Sequence, residues 1–175
     1  MCIRDSSMME TVQSAKAKEA LSKMMEAVRY AKEIGCDTEL ITADMNKAQE
    51  AMKKRDFSLA LELAENVYKE ATSMLFTSAE KEFGAAKLSV IEAKKIGIDI
   101  TEMRELLKKA KAAFDSKNYY TTFKKSEEAR LMAERLIDLH QKAYGAITQA
   151  AALVAEAKKN KADVSSVMNT LLNAK

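Results

Sequence analysis

One seven-residue segment occurs three times in this chain at a nearly constant interval. It reads Ala-Lys-Glu-Ile-Gly-Cys-Asp at 31–37, Ala-Lys-Lys-Ile-Gly-Ile-Asp at 93–99 and, more divergently, Ala-Lys-Lys-Asn-Lys-Ala-Asp at 157–163. The first residues of the copies, 31, 93 and 157, are therefore 62 and 64 positions apart. A fixed period indicates a protein built from repeated structural units. Such units stack into extended surfaces, whereas an enzyme usually needs one irregular site.

The amino-acid composition indicates that these units are helical. The 175 residues include no Pro and only 4 Gly, whereas a β-rich chain needs many turn residues. Ala, Lys, Glu, Leu and Met, all strong helix formers, dominate the sequence. A content of 47% hydrophobic and 31% charged residues is typical of a chain with a folded core. We predict an all-α fold.

Charge and cysteine content say little about partners. The net charge of +3 argues only weakly for nucleic acid or an acidic membrane surface. No apolar run approaches the roughly 20 residues that a membrane-spanning helix needs. Two cysteines cannot form a disulfide framework, so a reducing compartment, by default the cytoplasm, is expected.

Each unit begins with an amphipathic helix, the A helix. Its apolar residues recur in steps of four, three, four and three, which places them on one face. The three stripes are Ala17, Leu21, Met24, Val28 and Ala31; Ala79, Phe83, Ala86, Val90 and Ala93; and Ala143, Ile147, Ala150, Val154 and Ala157.

The first two A helices are predicted to end at Gly35 and Gly97. Glycine adopts the left-handed conformation that closes a Schellman cap, and an apolar residue follows it. Cys36 fills the apolar position in the first unit, so we interpret it as a small packing residue rather than a reactive thiol.

Polar residues after the predicted turns are expected to be helix N-caps. Asp99 with Glu102 also has the spacing of a capping box. The expected N-caps are Asp37, Asp99 and Asp163 after the A helices, and Asp56 and Asn118 after a shorter B helix.

The B helix and a following C helix complete the unit. The B stripes are Ile41, Met45, Ala48 and Met52; Met103, Leu107, Ala110 and Phe114; and Val167, Leu171 and Ala174. The C stripes are Phe57, Leu61, Ala64, Tyr68, Ala71 and Leu75; and Tyr119, Phe123, Ser126, Arg130, Ala133 and Ile137.

No helix-breaking residue separates the first C helix from the second A helix. Three consecutive four-residue steps occur around Leu75, Ala79 and Phe83. This stutter shifts the buried stripe around the helix, as a helix that packs first on one neighbour and then on another requires. We predict one continuous helix at 57–95, about 58 Å long.

The same plan at 119–159 predicts a second long helix, with Gly145 leaving its continuity open. The predicted architecture is an elongated tandem array of three-helix bundles in which neighbouring units share long helices. It divides the chain into unit 1 at 8–76, unit 2 at 77–138 and an incomplete unit 3 at 139–175.

Both ends of the sequence are expected to be cut. The first six residues, Met-Cys-Ile-Arg-Asp-Ser, resemble the translation of a transposon adapter used in sequencing libraries. Residues 1–7 are therefore interpreted as an adapter-derived or disordered tail, with an ordinary frayed terminus as the alternative. Unit 3 lacks a C helix, whereas a natural array ends in a polar capping unit. We expect a fragment of a longer protein, which leaves a targeting signal upstream open.

The A-B-C order and the shared helix resemble spectrin-type tandem three-helix repeats over most of residues 10–175. The resemblance implies an elongated, coiled-coil-like scaffold; spectrin units are longer and carry a characteristic Trp that this chain lacks. The Ala-rich units with a Gly-x-Asp turn are also similar to uncharacterised archaeal helical-repeat proteins, which implies no activity. Residues 56–64 resemble the second half of a tetratricopeptide repeat, whose period of about 34 residues this chain does not follow.

The sequence contains no residue pattern typical of an active site. His140 is the only histidine, and it lacks the partners expected for nucleophilic catalysis or metal binding. No Gly-rich phosphate loop occurs. Acidic pairs such as Glu127-Glu128 lie beside lysines with which helical ion pairs form. We predict no enzyme activity, no catalytic or metal-binding residues and no cofactor.

Basic runs provide one candidate surface. Cations near helix C-termini offset the macrodipole, but a repeated basic edge also suits phosphates, with Tyr119 and Tyr120 available for stacking. Interleaved acidic residues weaken the nucleic-acid interpretation. The basic residues are Lys53, Lys54 and Arg55 at the end of the first B helix, and Lys108, Lys109 and Lys111 along the second.

We predict a non-enzymatic helical-repeat scaffold, spacer or protein-interaction module. Protein partners are expected, although the sequence does not identify them, and self-association stays open. The alternatives are a tetratricopeptide-like superhelix that binds a peptide in its groove and a basic helical nucleic-acid-binding module. The first alternative requires a break with an antiparallel turn at Leu75–Phe83, whereas the spacer requires a continuous helix there.

Overall fold

The computed structural model describes residues 3–160 and 164–173, with side chains described from residue 9 onward except at 171. Its six helices are α1 (Ile3–Glu33), α2 (Glu39–Lys53), α3 (Phe57–Lys95), α4 (Thr101–Asp115), α5 (Tyr119–Lys159) and α6 (Ser165–Asn173). The described ranges contain no strand, and the predicted all-α fold is confirmed. α1 begins at Ile3, so residues 3–7 of the expected tail are helical. None of the helices in these ranges is long and apolar enough to cross a membrane.

The long helix predicted at 57–95 is confirmed as α3 with the same bounds. Asp56 is its N-cap residue, and the Asp56 carboxylate accepts a hydrogen bond from the backbone N–H of Leu59 at 3.1 Å. This bond satisfies one of the amide groups that a helix start leaves unpaired. With 39 residues and no proline to interrupt it, α3 is about 58 Å long.

The buried side chains along α3 form two separate groups, each made of two clusters that share half-buried residues. In the first, α1, α2 and the first half of α3 pack around residues that include Met24 and Ile41. In the second, the later half of α3, α4 and the first half of α5 pack around residues that include Val90 and Met103. The predicted unit boundary at 76/77 falls inside α3, so no loop separates the two cores. The boundary at 138/139 likewise falls inside α5.

The buried stripe of α3 turns around the helix between the two cores. Val67, Ala71, Leu75 and Ala79 are all buried and lie four residues apart. At 3.6 residues per turn, each four-residue step turns the stripe by about 40°, so three steps turn it by about 120°. One helix can therefore face α1 in its first half and α5 in its second.

Glycine closes α1 and α3 as the spacing predicts. Gly35 and Gly97 have φ values of 82° and 84°. After α1, the Cys36 N–H donates to the carbonyl of Ala31 at 2.9 Å and the Gly35 N–H donates to the carbonyl of Lys32 at 3.1 Å. These two bonds form a Schellman motif, and the equivalent pair closes α3.

The turns after α2 and α4 use the same cap without glycine, which the sequence patterns do not indicate. Arg55 and Lys117 have φ values of 61° and 60°. In each turn the next residue donates to a carbonyl five positions earlier, as the Asp56 N–H does to Ala51 at 2.9 Å. A left-handed residue with a side chain costs about 1–2 kcal/mol, so the cap bonds must offset that cost.

Two of the expected N-caps lie one residue too early. The N-cap residues of α2 and α4 are Thr38 and Ile100, which follow Asp37 and Asp99. Each aspartate accepts a hydrogen bond from the backbone N–H two residues later, at 3.2 Å and 2.9 Å. In the second turn the donor is Thr101, whose hydroxyl also donates to Asp99 at 2.7 Å. The aspartates therefore form local turns of the Asx type in place of caps and the expected capping box.

The second long helix, α5, is continuous through Gly145. Its N-cap residue, Asn118, accepts a hydrogen bond from the backbone N–H of Thr121 at 3.1 Å. In the second half of α5, residues 138–146 are all exposed, and α6 packs against α5. Ala143 is exposed there, and the rest of the third predicted A stripe is only half-buried. Asp163, the last expected N-cap, lies outside the described residues.

The buried face of α5 differs from the predicted C stripe. Thr122 and Ala129 are buried in place of the predicted Phe123 and Arg130. The Thr122 hydroxyl donates to the carbonyl of Asn118 at 2.9 Å, so its burial leaves no unpaired donor.

Replacing Gly35 by alanine tests the left-handed cap. Alanine at a φ of 82° is expected to lower the free energy of unfolding by about 1–2 kcal/mol, although no surrounding atom obstructs the new Cβ. Gly84→Ala is the matched control, because Gly84 lies inside α3 with equally free space around it. Alanine there should raise the free energy of unfolding by about 1 kcal/mol. Urea unfolding measures both changes, and changes of the same sign would contradict the cap assignment.

Candidate functional site

The basic residues singled out in the sequence do not form one surface. Residues 53–55 lie at the end of α2 and are exposed. On α4, Lys108 and Lys111 each pair with an acidic residue of the same helix, at 2.6 Å and 2.8 Å, and Lys109 is exposed. Part of the positive charge on α4 is therefore neutralised locally.

The two basic groups also occupy different places in the repeat. At a spacing of 62 residues, positions 53–55 correspond to Asp115, Ser116 and Lys117, so the basic edge is not repeated. Residues 53–55 precede the first turn of α3, whereas Phe114 near the end of α4 contacts Phe76. Along α3, the distance from its first residue, Phe57, to Phe76 is about 28 Å. The groups do not form a continuous track for a phosphate backbone.

The described residues contain no group of three or more His, Cys, Asp or Glu that could hold a metal ion. His140 is exposed on α5. The Cys36 Sγ lies 3.3 Å from the Ser78 hydroxyl, so the thiol at the α1–α2 turn makes a hydrogen-bonding contact with α3.

A cluster of aromatic rings lies where the two cores meet. Phe76 in the middle of α3, Phe114 on α4 and Tyr119 at the start of α5 have ring centroids 5.3–5.7 Å apart. Two of the three pairs are edge-to-face, an arrangement that the charge distribution of aromatic rings favours. We call these three residues together with Tyr30 and Tyr120 the junction.

Tyr30 and Tyr120 connect α1 to α5 across the junction. Their rings are stacked, with centroids 4.2 Å apart and planes 16° from parallel. The Tyr30 hydroxyl donates to Glu26 at 2.9 Å, and the Tyr120 hydroxyl donates to Glu33. Because each hydroxyl donates to a carboxylate, the pKa values of both tyrosines are raised above the ordinary value. The Arg29 guanidinium lies 4.5 Å from the Tyr30 ring centroid.

Glu82 and Arg130 form the one ion pair between different helices in the described part of the chain. The Arg130 Nε lies 2.5 Å from Glu82 Oε1, and its Nη1 lies 3.0 Å from both carboxylate oxygens of Glu134. The hydrogen bond to Glu82 is the main cause of a raised Arg130 pKa. The two side chains are only 25% and 14% exposed, so this pair is screened less than the surface pairs. It fixes the register of α3 against α5.

A shallow groove runs along α1 and α3 to the junction. It consists of two cavities of about 490 and 520 Å³ that share Lys23 and Tyr68. One end lies near Lys16, and the other reaches Lys117 and Tyr120. Lysines and glutamates alternate along it without a set of groups that converge on one point.

Sequence patterns do not indicate the junction, because its members are far apart in the chain. Tyr30 and Tyr120 are separated by 90 positions, and only the register of α1 against α5 brings them together. The available signal is compositional: five of the ten Phe and Tyr residues lie in the junction. The junction offers no reactive group, and its effect is structural: it connects α1, α3, α4 and α5 near Phe76.

Comparisons with protein-family models, curated protein sequences and solved structures find no match for this chain.

Raising the pH is expected to weaken the junction. The pKa values of Tyr30 and Tyr120 are higher in the folded chain than in the unfolded one. The stability that this difference contributes is therefore complete below the ordinary tyrosine pKa of about 10 and is lost as the pH rises through the folded values. Urea unfolding at a series of pH values, with tyrosinate absorbance recorded in parallel, should show a decline that begins near pH 10.

The control is the double variant Tyr30→Phe/Tyr120→Phe. It keeps the stacked rings but has no hydroxyl to titrate, while every lysine that deprotonates in this range is retained. Its free energy of unfolding should fall less steeply above about pH 10 than that of the unmodified chain. The same slope in both proteins would contradict the contribution assigned to the two hydroxyl groups.

Proposed function

We propose that this chain is a non-enzymatic scaffold or spacer, built as a tandem array of spectrin-like three-helix units, that holds protein partners a fixed distance apart. The observation that carries the proposal is the continuity of α3, which has 39 residues and contributes to two separate cores. A helix without a break transmits the position of one core to the next, because bending it would distort its backbone hydrogen bonds.

The matching turns support the assignment of repeated units. Gly35 and Gly97 have the same left-handed conformation 62 positions apart, and so do Arg55 and Lys117. Four turns therefore form two equivalent pairs, although the second pair differs in residue type. Equivalent turns orient successive helices in the same way, which is what an array of similar bundles needs.

The junction supports the role of a stiff spacer. The aromatic cluster joins Phe76 of α3 to α4 and α5, and the Glu82–Arg130 pair lies six residues further along α3. Both contacts lie at the level where the two cores meet. A rod of repeated units bends most easily between the units, and these two contacts stabilise it there.

A tetratricopeptide-like groove is disfavoured by the same helix. That architecture requires a break with an antiparallel turn at Leu75–Phe83, and α3 runs through this segment without interruption. A nucleic-acid-binding role is disfavoured because the basic groups at 53–55 and 108–111 occupy non-equivalent places in the repeat.

A distance measurement along α3 tests the spacer. Spin labels are placed at Ser58 and Glu92, both exposed on α3, in a background in which Cys2 and Cys36 are replaced by serine. The 34-residue separation corresponds to about 51 Å along a straight helix. Double electron–electron resonance should give one narrow distribution near that distance. A second population below about 35 Å would contradict the rigid spacer.

Glu80→Pro is the control for this measurement. Glu80 is exposed in the middle of α3, and proline there removes a backbone hydrogen bond and kinks the helix. The variant should give a broader distribution with a shorter mean distance, while labels at the same two sites keep the local environment of each label unchanged.

A further inference from the structure

The last two helical segments differ from their counterparts in charge. We call residues 139–159 of α5 together with α6 the C-terminal hairpin. Residues 143–155 contain no Asp, Glu, Lys, Arg or His, whereas the corresponding residues 79–91 contain four such residues and 17–29 contain five. In the other units these charges cover the outer face of the helix, so residues 143–155 lack the usual solvated face.

The second helix of the hairpin, α6, also lacks charged residues. The nine residues of α6 carry no charged side chain. The first nine residues of α4 carry five, and those of α2 carry three. Residues 143–155 and α6 are therefore both uncharged, in a chain of which 31% is charged. Depletion of charge is characteristic of the centre of protein interfaces.

Large apolar side chains are exposed along the C-terminal hairpin. In the first two units a third helix segment completes the core, and Ala17, Met24, Ala79 and Ala86 are fully buried. In the C-terminal hairpin α6 packs against α5 and makes no comparable contact with another described helix, and residues 138–146 of α5 are all exposed. The large exposed side chains, with their exposed fractions, are Leu139 (50%), Tyr144 (68%), Leu153 (67%), Val167 (49%) and Leu172 (65%).

The absence of charge favours a second copy of the chain as the partner. In a two-fold contact each residue lies near the same residue of the other copy, so any charge near the axis faces a like charge. Residues 143–155 and α6 carry no charge and avoid this repulsion. A membrane surface suits these two segments poorly, because interfacial helices carry Lys and Arg on their polar face. A charged protein partner would find no complementary charge between 143 and 155.

We propose that the C-terminal hairpins of two copies pack face to face as an antiparallel four-helix bundle. The helices offer about 45 Å of combined length and a width of roughly 10 Å, so a face-to-face contact covers roughly 900 Å² in total. This is at the low end of specific interfaces, and the dimer should dissociate on dilution. The inference goes beyond the spacer, since a monomeric rod would serve that role.

Sedimentation equilibrium over a range of protein concentrations tests the dimer. The unmodified chain should pass from 19.4 kDa at the lowest concentration toward twice that mass at the highest. Leu153→Glu places a charge on the exposed hairpin surface and should weaken dimerisation at least 10-fold. Its helical circular dichroism and thermal unfolding under monomeric conditions should be unchanged, because Leu153 is 67% exposed in the single chain.

Leu88→Glu is the matched control. Leu88 is 70% exposed on α3, outside the hairpin, and its replacement should leave dimerisation unchanged. A chain that stays at 19.4 kDa at every concentration overturns the proposal. So does a dimer that Leu153→Glu leaves intact, or one that Leu88→Glu weakens equally. Co-sedimentation of a monomeric chain with phosphatidylcholine–phosphatidylserine vesicles, lost in Leu153→Glu, would assign the surface to lipid and would also overturn it.

Discussion

The rest of this structure depends on the unbroken backbone hydrogen-bond ladder of α3. Because α3 continues from residue 57 to residue 95, the two cores are connected by a helix and not by a loop. The helix can serve both cores only because its buried stripe turns by about 120° between Val67 and Ala79. A strict alternation of three- and four-residue steps would keep the same face buried throughout and would leave α5 without a surface to pack on.

The extent of α3 could be predicted because each of its ends has a local chemical signal. Asp56 provides an N-cap acceptor, and Gly97 provides the left-handed residue that closes the other end. Those signals act within a few residues and do not require knowledge of the rest of the fold. The stutter is also a local pattern, but the predicted run ends at Phe83, whereas the observed run starts at Val67 and ends at Ala79 because Phe83 is only half-buried.

Other turns could be predicted only in part. Arg55 and Lys117 adopt the left-handed conformation without the glycine that usually marks it, so residue type gives no signal there. Asp37 and Asp99 precede the true N-cap positions by one residue. The sequence does not reveal this shift, because aspartate is favoured both in Asx turns and at N-caps. The difference between these two roles is a matter of backbone geometry.

The junction could not be predicted because it depends on the register between distant helices. Repeat alignment pairs Arg130 with Tyr68 and places both in a buried stripe, yet Tyr68 is 42% exposed and Arg130 binds Glu82 of a neighbouring helix. A shift of one residue along a helix turns a side chain by about 100°. Sequence periodicity therefore finds the helix face approximately, while the partner of each side chain is decided by packing.

Hydrogen exchange of the α3 backbone amides is the most direct test of the continuous shared helix. The amides of residues 72–83 lie between the two cores, and they should be protected as strongly as the amides on either side. Protection of the two flanking segments should be lost together with that of residues 72–83, because one hydrogen-bonded ladder connects all three. Rapid exchange confined to residues 72–83 would contradict a continuous shared helix, because it would mean that α3 opens at a hinge between two independent bundles.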